Sequence, residues 1–374
     1  MTKISDITNA LEQWAPLGTQ QSYDNARLQV GDPAGPASHV LIALDLTPAV
    51  IDEAIDAGAE LIITHHPVIF RPIKSVTTNS WQGALILRLA QAGIALYCIH
   101  TNLDAARDGV SFALARQLGL SNIKFLKPLT DQLVKLVTFV PNTHVDAVRA
   151  SLAEAGAGRI GAYDACAFIS TGTGYFKPGP GTNPHIGEAD GGLTAANEMR
   201  IEVEVHRWQL GVILRALHES HPYEEVAYDI YPLEKAATQV GMGAIGELED
   251  ALSLEDFLQH VSEALDTDGL RFVGDPDKPV KRVAVCGGSG ADLMDDARRA
   301  GADAYVTADV TYHRFFDVLN TRGTPEMALI DAIHYETEAC TEDLLQSWLS
   351  ERFSDVVWQK TVTRTSPIRT FMKK

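Results

Sequence analysis

Leu61-Ile-Ile-Thr-His-His-Pro67 delivers two adjacent imidazoles directly after a short apolar run. Imidazole nitrogens ligate transition metals and carry protons near neutral pH, and strand ends are where open α/β sheets place such chemistry. Two further segments close in the same way. Ile99-His-Thr-Asn-Leu-Asp104 and Ile333-His-Tyr-Glu-Thr-Glu338 each read strand, histidine, three residues, carboxylate. A mixed set of imidazoles and carboxylates favours Zn, Mn, Fe or Ni over Ca or Mg. It holds too many donors for one tetrahedral ion. Neighbouring side chains on a strand point to opposite faces, so His65 and His66 suit two ions, which pair at roughly 3.5–4 Å with a bridging carboxylate and water. Plainer roles stand beside these. His100 and His334 could meet backbone carbonyls, and Asp104 could cap a helix. Glu336 is expected to face solvent, and Asp309 and His313 to support the site from behind.

Strands alternating with helices must position these groups. Helical spacing predicts α-helices over Ser5–Trp14, Ala49–Ala57, Trp81–Ala92 and Gly109–Leu118. Strands are expected at Tyr23–Gly31, His39–Leu44, Leu61–Thr64 and Ile94–Ile99. A second such block runs from Ser253, with strands at Val283–Cys286, Ala304–Thr307 and Met327–Ile333 and helices at Ser253–Leu265, Asp292–Ala300 and His313–Asn320. A last helix ends near Leu349, and an edge strand is expected within Val356–Met372. Val40–Ile69 slides onto Val283–Tyr312 without a gap: Ala57-Gly-Ala59 meets Ala300-Gly-Ala302 and Thr64 meets Thr307. The chain therefore reads as a duplicated α/β half with a largely parallel sheet, its histidine-bearing strand ends converging at one sheet edge.

Between the copies the pattern changes. Two β-α-β units, with strands at Lys135–Val140, Tyr163–Ser170, Met199–Val205 and Glu225–Tyr231 and helices at Thr143–Ala155 and Gln209–Ser220, predict a ferredoxin-like α+β insertion. The expected domains are residues 1–130, 131–235 and 236–374. A Pro/Gly-rich loop, Lys177–Pro184, forms a long excursion inside the insertion. His221-Pro-Tyr-Glu-Glu225 reads first as a contact between subunits, where tyrosine is favoured, and second as a small-ligand or metal site. In the second block Cys286-Gly-Gly-Ser-Gly290 follows a strand. Gly287, Gly288, Ser289 and Gly290 could cradle an anion with backbone N–H groups or simply form a turn, while Cys286 reads as a small buried residue.

A net charge of -18 argues against a nucleic-acid partner, because phosphate backbones are held by Lys and Arg. The four cysteines are far apart and form no CxxC pair, so neither a zinc ribbon nor a disulfide scaffold is indicated. No apolar run approaches a membrane span, and no signal-peptide region opens the chain. A reduced, cytoplasmic setting is expected.

Ile63-Thr-His-His-Pro67, His100-Thr-Asn-Leu-Asp104, Val285-Cys-Gly-Gly-Ser-Gly290 and His334-Tyr-Glu-Thr-Glu338 together resemble the motifs of the NIF-three-like family, whose members are known as GTP cyclohydrolase I type 2 homologues. The resemblance covers essentially the whole chain, and the insertion is similar to PII and CutA modules. It implies a toroidal homohexamer with two divalent ions (Zn, Fe, Mn or Ni) per subunit. His65 and His66 would each bind one ion, Asp104 one and His334 the other, with Glu338 bridging. His100 then moves behind the direct ligands. Asp24-Asn-Ala-Arg-Leu-Gln-Val-Gly31 departs from the family by placing Arg27 where a glycine is usual. The implied activity is metal-dependent hydrolysis of a nucleotide or related small molecule. The alternative is a non-enzymatic metal-binding hexamer that senses a small ligand through its insertion.

Overall fold

The computed structural model describes residues 1–369 and divides the chain into two compact units. One joins residues 1–128 to the chain from Gln239 onward, and the other is residues 129–238.

The first unit opens with α1 (Ile4–Trp14), β1 (Arg27–Val30), β2 (His39–Ala43), α2 (Pro48–Ala57), β3 (Leu61–Thr64) and α3 (Trp81–Ala92). Then come β4 (Ala95–Cys98), α4 (Thr101–Asp104), α5 (Val110–Gln117) and β5 (Ser121–Pro128). Punctuation in the sequence fixes these elements locally. Thr47 accepts the Val50 N–H and Pro48 sits in the first turn of α2, which stops at Gly58 with φ +68°. The central strands are buried on both faces, as parallel strands must be. Val40, Ile42, Leu61 and Ile63 face one core layer, and Leu41, Ala43 and Ile62 face the other.

The second unit contains β6 (Leu133–Pro141), α6 (Val145–Glu154), β7 (Ala167–Phe176), β8 (Thr194–His206), α7 (Leu210–Ser220) and β9 (Tyr228–Pro232). Its sheet runs β7-β8-β6-β9 with every neighbouring pair antiparallel. Each helix thus joins two parallel strands that have a third strand between them. Both helices cover one face, where Val148 and Leu217 meet Leu136, Ile201 and Val203.

The first unit resumes with β10 (Gly241–Ser253), α8 (Leu254–Ala264), β11 (Arg271–Val273), β12 (Pro279–Ser289), α9 (Met294–Arg299) and β13 (Ala304–Ala308). It ends with β14 (Ala328–Asp331), α10 (His334–Glu338), α11 (Cys340–Ser350) and β15 (Val357–Lys360). Its strands form two sheets, β1-β4-β3-β2-β15 and β11-β14-β13-β12-β10-β5. Both contain the same series, three parallel strands flanked by one antiparallel strand on the same side. Helix α5 packs on β10 and β12 of the six-stranded sheet, whereas α11 packs on β2 and β15 of the five-stranded sheet, and the two helices touch.

The expectation of one shared sheet edge is corrected here. The strands ending in His65-His66 and His100 lie in one sheet, and the strand before His334 lies in the other. Two long strands, β5 and β10, were not expected either. Gly241, Gly243 and Gly246 make β10 read as a loop. In the structure those glycines permit close approach: a Cβ on Gly241 would lie 2.6 Å from the Phe125 ring, and one on Gly246 2.7 Å from the Ser121 carbonyl. The helix expected at His313–Asn320 is a 3-10 stretch, Tyr312–Val318. The strand expected within Val356–Met372 is confined to Val357–Lys360, parallel to β2, and residues 370–372 lie outside the described residues.

Candidate metal centre

Strand β3 continues its hydrogen bonding past its own end. The His65 N–H donates to the Ala43 carbonyl and the His66 N–H to the Leu44 carbonyl, so both histidines leave the sheet in fixed positions. Their rings do not diverge as strand alternation predicted. The Thr64 hydroxyl donates to the His66 carbonyl at 2.9 Å and bends the chain, and the ring centroids lie only 5.1 Å apart. From the other sheet, Ile333 adopts φ +64° before α10, a strained conformation for a β-branched residue. Helix α10 then stacks His334 and Glu338 on one face, four residues apart.

Four imidazoles turn Nε2 toward this junction because Nδ1 is held from behind. His65 Nδ1 donates to the Ile99 carbonyl at 2.8 Å, His66 to Asp45 at 2.7 Å, His100 to Asp24 at 2.8 Å and His334 to Asp309 at 2.7 Å. Such rear contacts set the tautomer and orientation of metal-binding histidines. Asp309 stands behind His334 in this way, whereas the His313 ring lies edge-on to Tyr312. Parallel register offered a signal for Asp45 that sequence reasoning missed. Ala43 pairs with Thr64, so the residue two past β2 stands level with His66. Asp24 stands in the Asp24-Asn-Ala-Arg27 motif, where nothing in its spacing points to His100, 76 residues away.

Glu338 stands at the centre. Its Oε1 lies 3.7 Å from His65 Nε2, which is also 3.7 Å from Asp104 Oδ1. Its Oε2 lies 3.0 Å from Nε2 of both His66 and His334, themselves 3.3 Å apart. Three sets of donor atoms are close enough to hold an ion: His65, Asp104 and Glu338; His66, His334 and Glu338; and His65, His66 and His100. The first two share Glu338. The fit to a cation is electrostatic. With its proton on Nδ1, His65 aims a lone pair at two carboxylates that can only accept. Its Nε2 and Asp104 Oδ1 are both buried without a hydrogen-bond partner, an arrangement unfavourable unless something positive lies among them.

Protonation follows the same logic. Burial opposes charge on His66, but hydrogen bonds to Asp45 and Glu338 outweigh it and push the imidazole up to about 10. His334 rises to about 9 against burial through Glu338 and Asp309. Burial and the neighbouring Glu338 raise Asp104 to about 7. Against burial, the surrounding histidines hold Glu338 well below the usual carboxylate range. The shifts at His66 and His334 favour their charged forms beside Glu338, the same demand for positive charge that an ion would meet.

The glycine-rich turn serves Glu338. A Cβ on Gly288, at φ +59°, would lie 2.1 Å from Glu338 Oε1, and one on Gly287 would lie 3.3 Å from Glu338 Cγ. The Gly288 N–H already donates to Thr337 Oγ1 at 3.0 Å and the Gly290 N–H to Thr307 Oγ1 at 2.9 Å. The expected anion cradle thus has two of its donors engaged internally, and Ser289 alone of the four is exposed. Glu336 is also corrected. It is buried at 7 % exposure and paired with Arg364. Cys286 is buried, and burial pushes its thiol up to about 12.

The chain thus joins two similar α/β halves and gathers histidines and carboxylates between their sheets. The family model described as Duf34/NIF3 (NGG1p interacting factor 3) matches residues 2–367, and the chain belongs to that family. Among curated relatives, a GTP cyclohydrolase 1 type 2 homolog from Halalkalibacterium halodurans is 44% identical over 314 residues, 84% of each chain. One of the same name from Bacillus subtilis is 41% identical over 345 residues, 92% of this chain and 91% of its own. Among solved structures, a Bacillus cereus protein related to NIF3 is 37% identical with a TM-score of 0.81, covering 99% of both chains. No helix among the described residues is long and apolar enough to cross a membrane.

Proposed function

We propose that the chain is a metal-dependent hydrolase of a nucleotide or related small molecule, built on a dinuclear centre. The observation that carries this reading is Glu338, whose two oxygens face two different donor groups. His65 and Asp104 with Oε1 would hold one ion, and His66 and His334 with Oε2 the other. The donor types suit Zn, Fe, Mn or Ni. Ions bound there would supply Lewis acidity and lower the pKa of water. The chain's own contributions are orientation and proton handling. Asp45 and Asp309 keep His66 and His334 aimed inward. His100, clamped by Asp24 on Nδ1, presents Nε2 beside the centre, where it can take or return a proton. Support for a nucleotide as substrate is the name shared by the relatives, GTP cyclohydrolase 1 type 2 homolog.

The same reading includes a ferredoxin-like insertion of PII/CutA type, supported by the strand order and antiparallel pairing of the second unit, and a homohexamer as the working assembly. The deciding experiment is elemental analysis of protein purified without added metal, paired with His66→Ala and a nucleotide and phosphoester panel. Two ions per chain are expected, falling to one or fewer in the variant, with metal-dependent turnover lost. One ion or none in the unsubstituted protein would overturn the mechanism. Two ions without turnover on any substrate would leave a metal-binding protein with no hydrolysis.

A further inference from the structure

We propose that the second unit holds a binding site of its own, selective for a guanine-type purine that carries a phosphate. The inference rests on residues 129–238 alone, so its failure leaves the metal-centre reading untouched. On the sheet face away from α6 and α7 lies a cavity of about 600 Å³, within the range that takes small molecules. Register explains its polar floor. Ile201 and Val203 of β8 turn to the helices, so Glu198 and Arg200 turn to the other face, with Phe139 of β6 opposite Arg200. The loop after β7, from Lys177 to Ile186, and the Tyr223–Glu225 turn complete the lining.

Glu198 is the group that selects. It is only 8% exposed, and its Oε1 accepts the Tyr223 hydroxyl at 2.8 Å. Its Oε2 occupies room that only a glycine leaves, since a Cβ on Gly174 would lie 2.2 Å away. A Cβ on Gly172, the β-partner of Glu198, would meet nothing within 4 Å, so open space lies beside the carboxylate. An ionised carboxylate accepts hydrogen bonds and cannot donate them. It therefore matches an edge with two adjacent donors, as guanine presents through N1–H and its amino group. Adenine sets an acceptor beside its amino donor, which would face Glu198 unpaired. Phe139, Phe176 and Tyr223 provide flat walls for a ring.

Cations for the phosphate are also present. Lys177 is exposed and makes no ion pair among the described residues. Arg200 meets Glu202 through Nε at 2.9 Å, which leaves its terminal nitrogens for a ligand. Glu224 is already engaged, its carboxylate accepting the Asn183 N–H at 2.9 Å and so tying down the loop.

The test is calorimetric titration of the full-length chain, stripped with a chelator so that the metal centre contributes nothing, with GMP and with AMP. GMP is expected to bind saturably and AMP at least tenfold more weakly. Glu198→Gln should weaken GMP at least tenfold. Ser170→Trp, which fills the cavity from β7 without touching the Glu198–Tyr223 bond, should abolish binding, with thermal melts confirming that both variants fold. Absence of saturable GMP binding, equal binding of the two nucleotides, or GMP binding that survives both substitutions would overturn the proposal.

Discussion

Whether Glu338 can keep its two oxygens turned to different partners depends on a neighbour with no side chain. Gly288 lies against Oε1, and the methyl group of Gly288→Ala would displace the carboxylate or the strand. At φ +59° the substitution also strains the backbone. It should cost about 1–3 kcal/mol and reduce metal content, measured by thermal melting and elemental analysis; normal occupancy would contradict the packing role of the turn. Glu342 allows a pH test. Burial, opposed by the Leu44 N–H bond and by Lys360, raises its carboxyl from 4.5 to about 7. The folded state therefore binds the proton more tightly than the unfolded one. The stability this confers is full below pH 4.5 and lost as pH rises through 7. Glu342→Gln keeps an acceptor for Leu44 without the charge. It should be more stable than the parent by about 2 kcal/mol at pH 8, with the gap closing toward pH 5. A gap constant across that range in denaturant titrations would refute the shift.

At the scale of elements, some features were legible in the sequence and others were not, for definite reasons. The His-x-x-x-carboxylate segments could be read because a strand end followed by a helical turn puts residues four apart on one face. His334 and Glu338 on α10 show that spacing directly. The repeat was legible because the small residues at Ala57-Gly-Ala59 and Ala300-Gly-Ala302 mark matching helix ends. Asp24 and Asp45 were hidden because their roles depend on which strands become neighbours. β10 was hidden because its glycines serve contacts with Phe125 and Ser121 that no local propensity encodes. The division into two sheets was equally invisible, since identical strand-helix patterns fit one long sheet or two short ones.

The whole first unit is held together by an exchange. Helix α5, from the first copy, lays Phe112, Leu114 and Ala115 into the core of the second copy's sheet with Phe257 and Val285. Helix α11, from the second copy, returns Leu345 and Leu349 to the first copy's core with Val40 and Ile63. Each half therefore lacks a helix that its own sheet needs, and the candidate metal-binding groups divide along the same line, with His65, His66 and Asp104 on one side and His334 and Glu338 on the other. The two stretches should behave as complementing fragments. Residues 1–128 produced alone should aggregate or stay unfolded by circular dichroism, since α5 would have no sheet to cover. Produced together with residues 239–374, they should co-purify as a folded pair that regains metal. A soluble, folded 1–128 fragment would show that the exchange is dispensable. Between them, chain continuity and metal binding would then be two separate ways of joining the same halves, and a cut in the segment that links them need not destroy the centre.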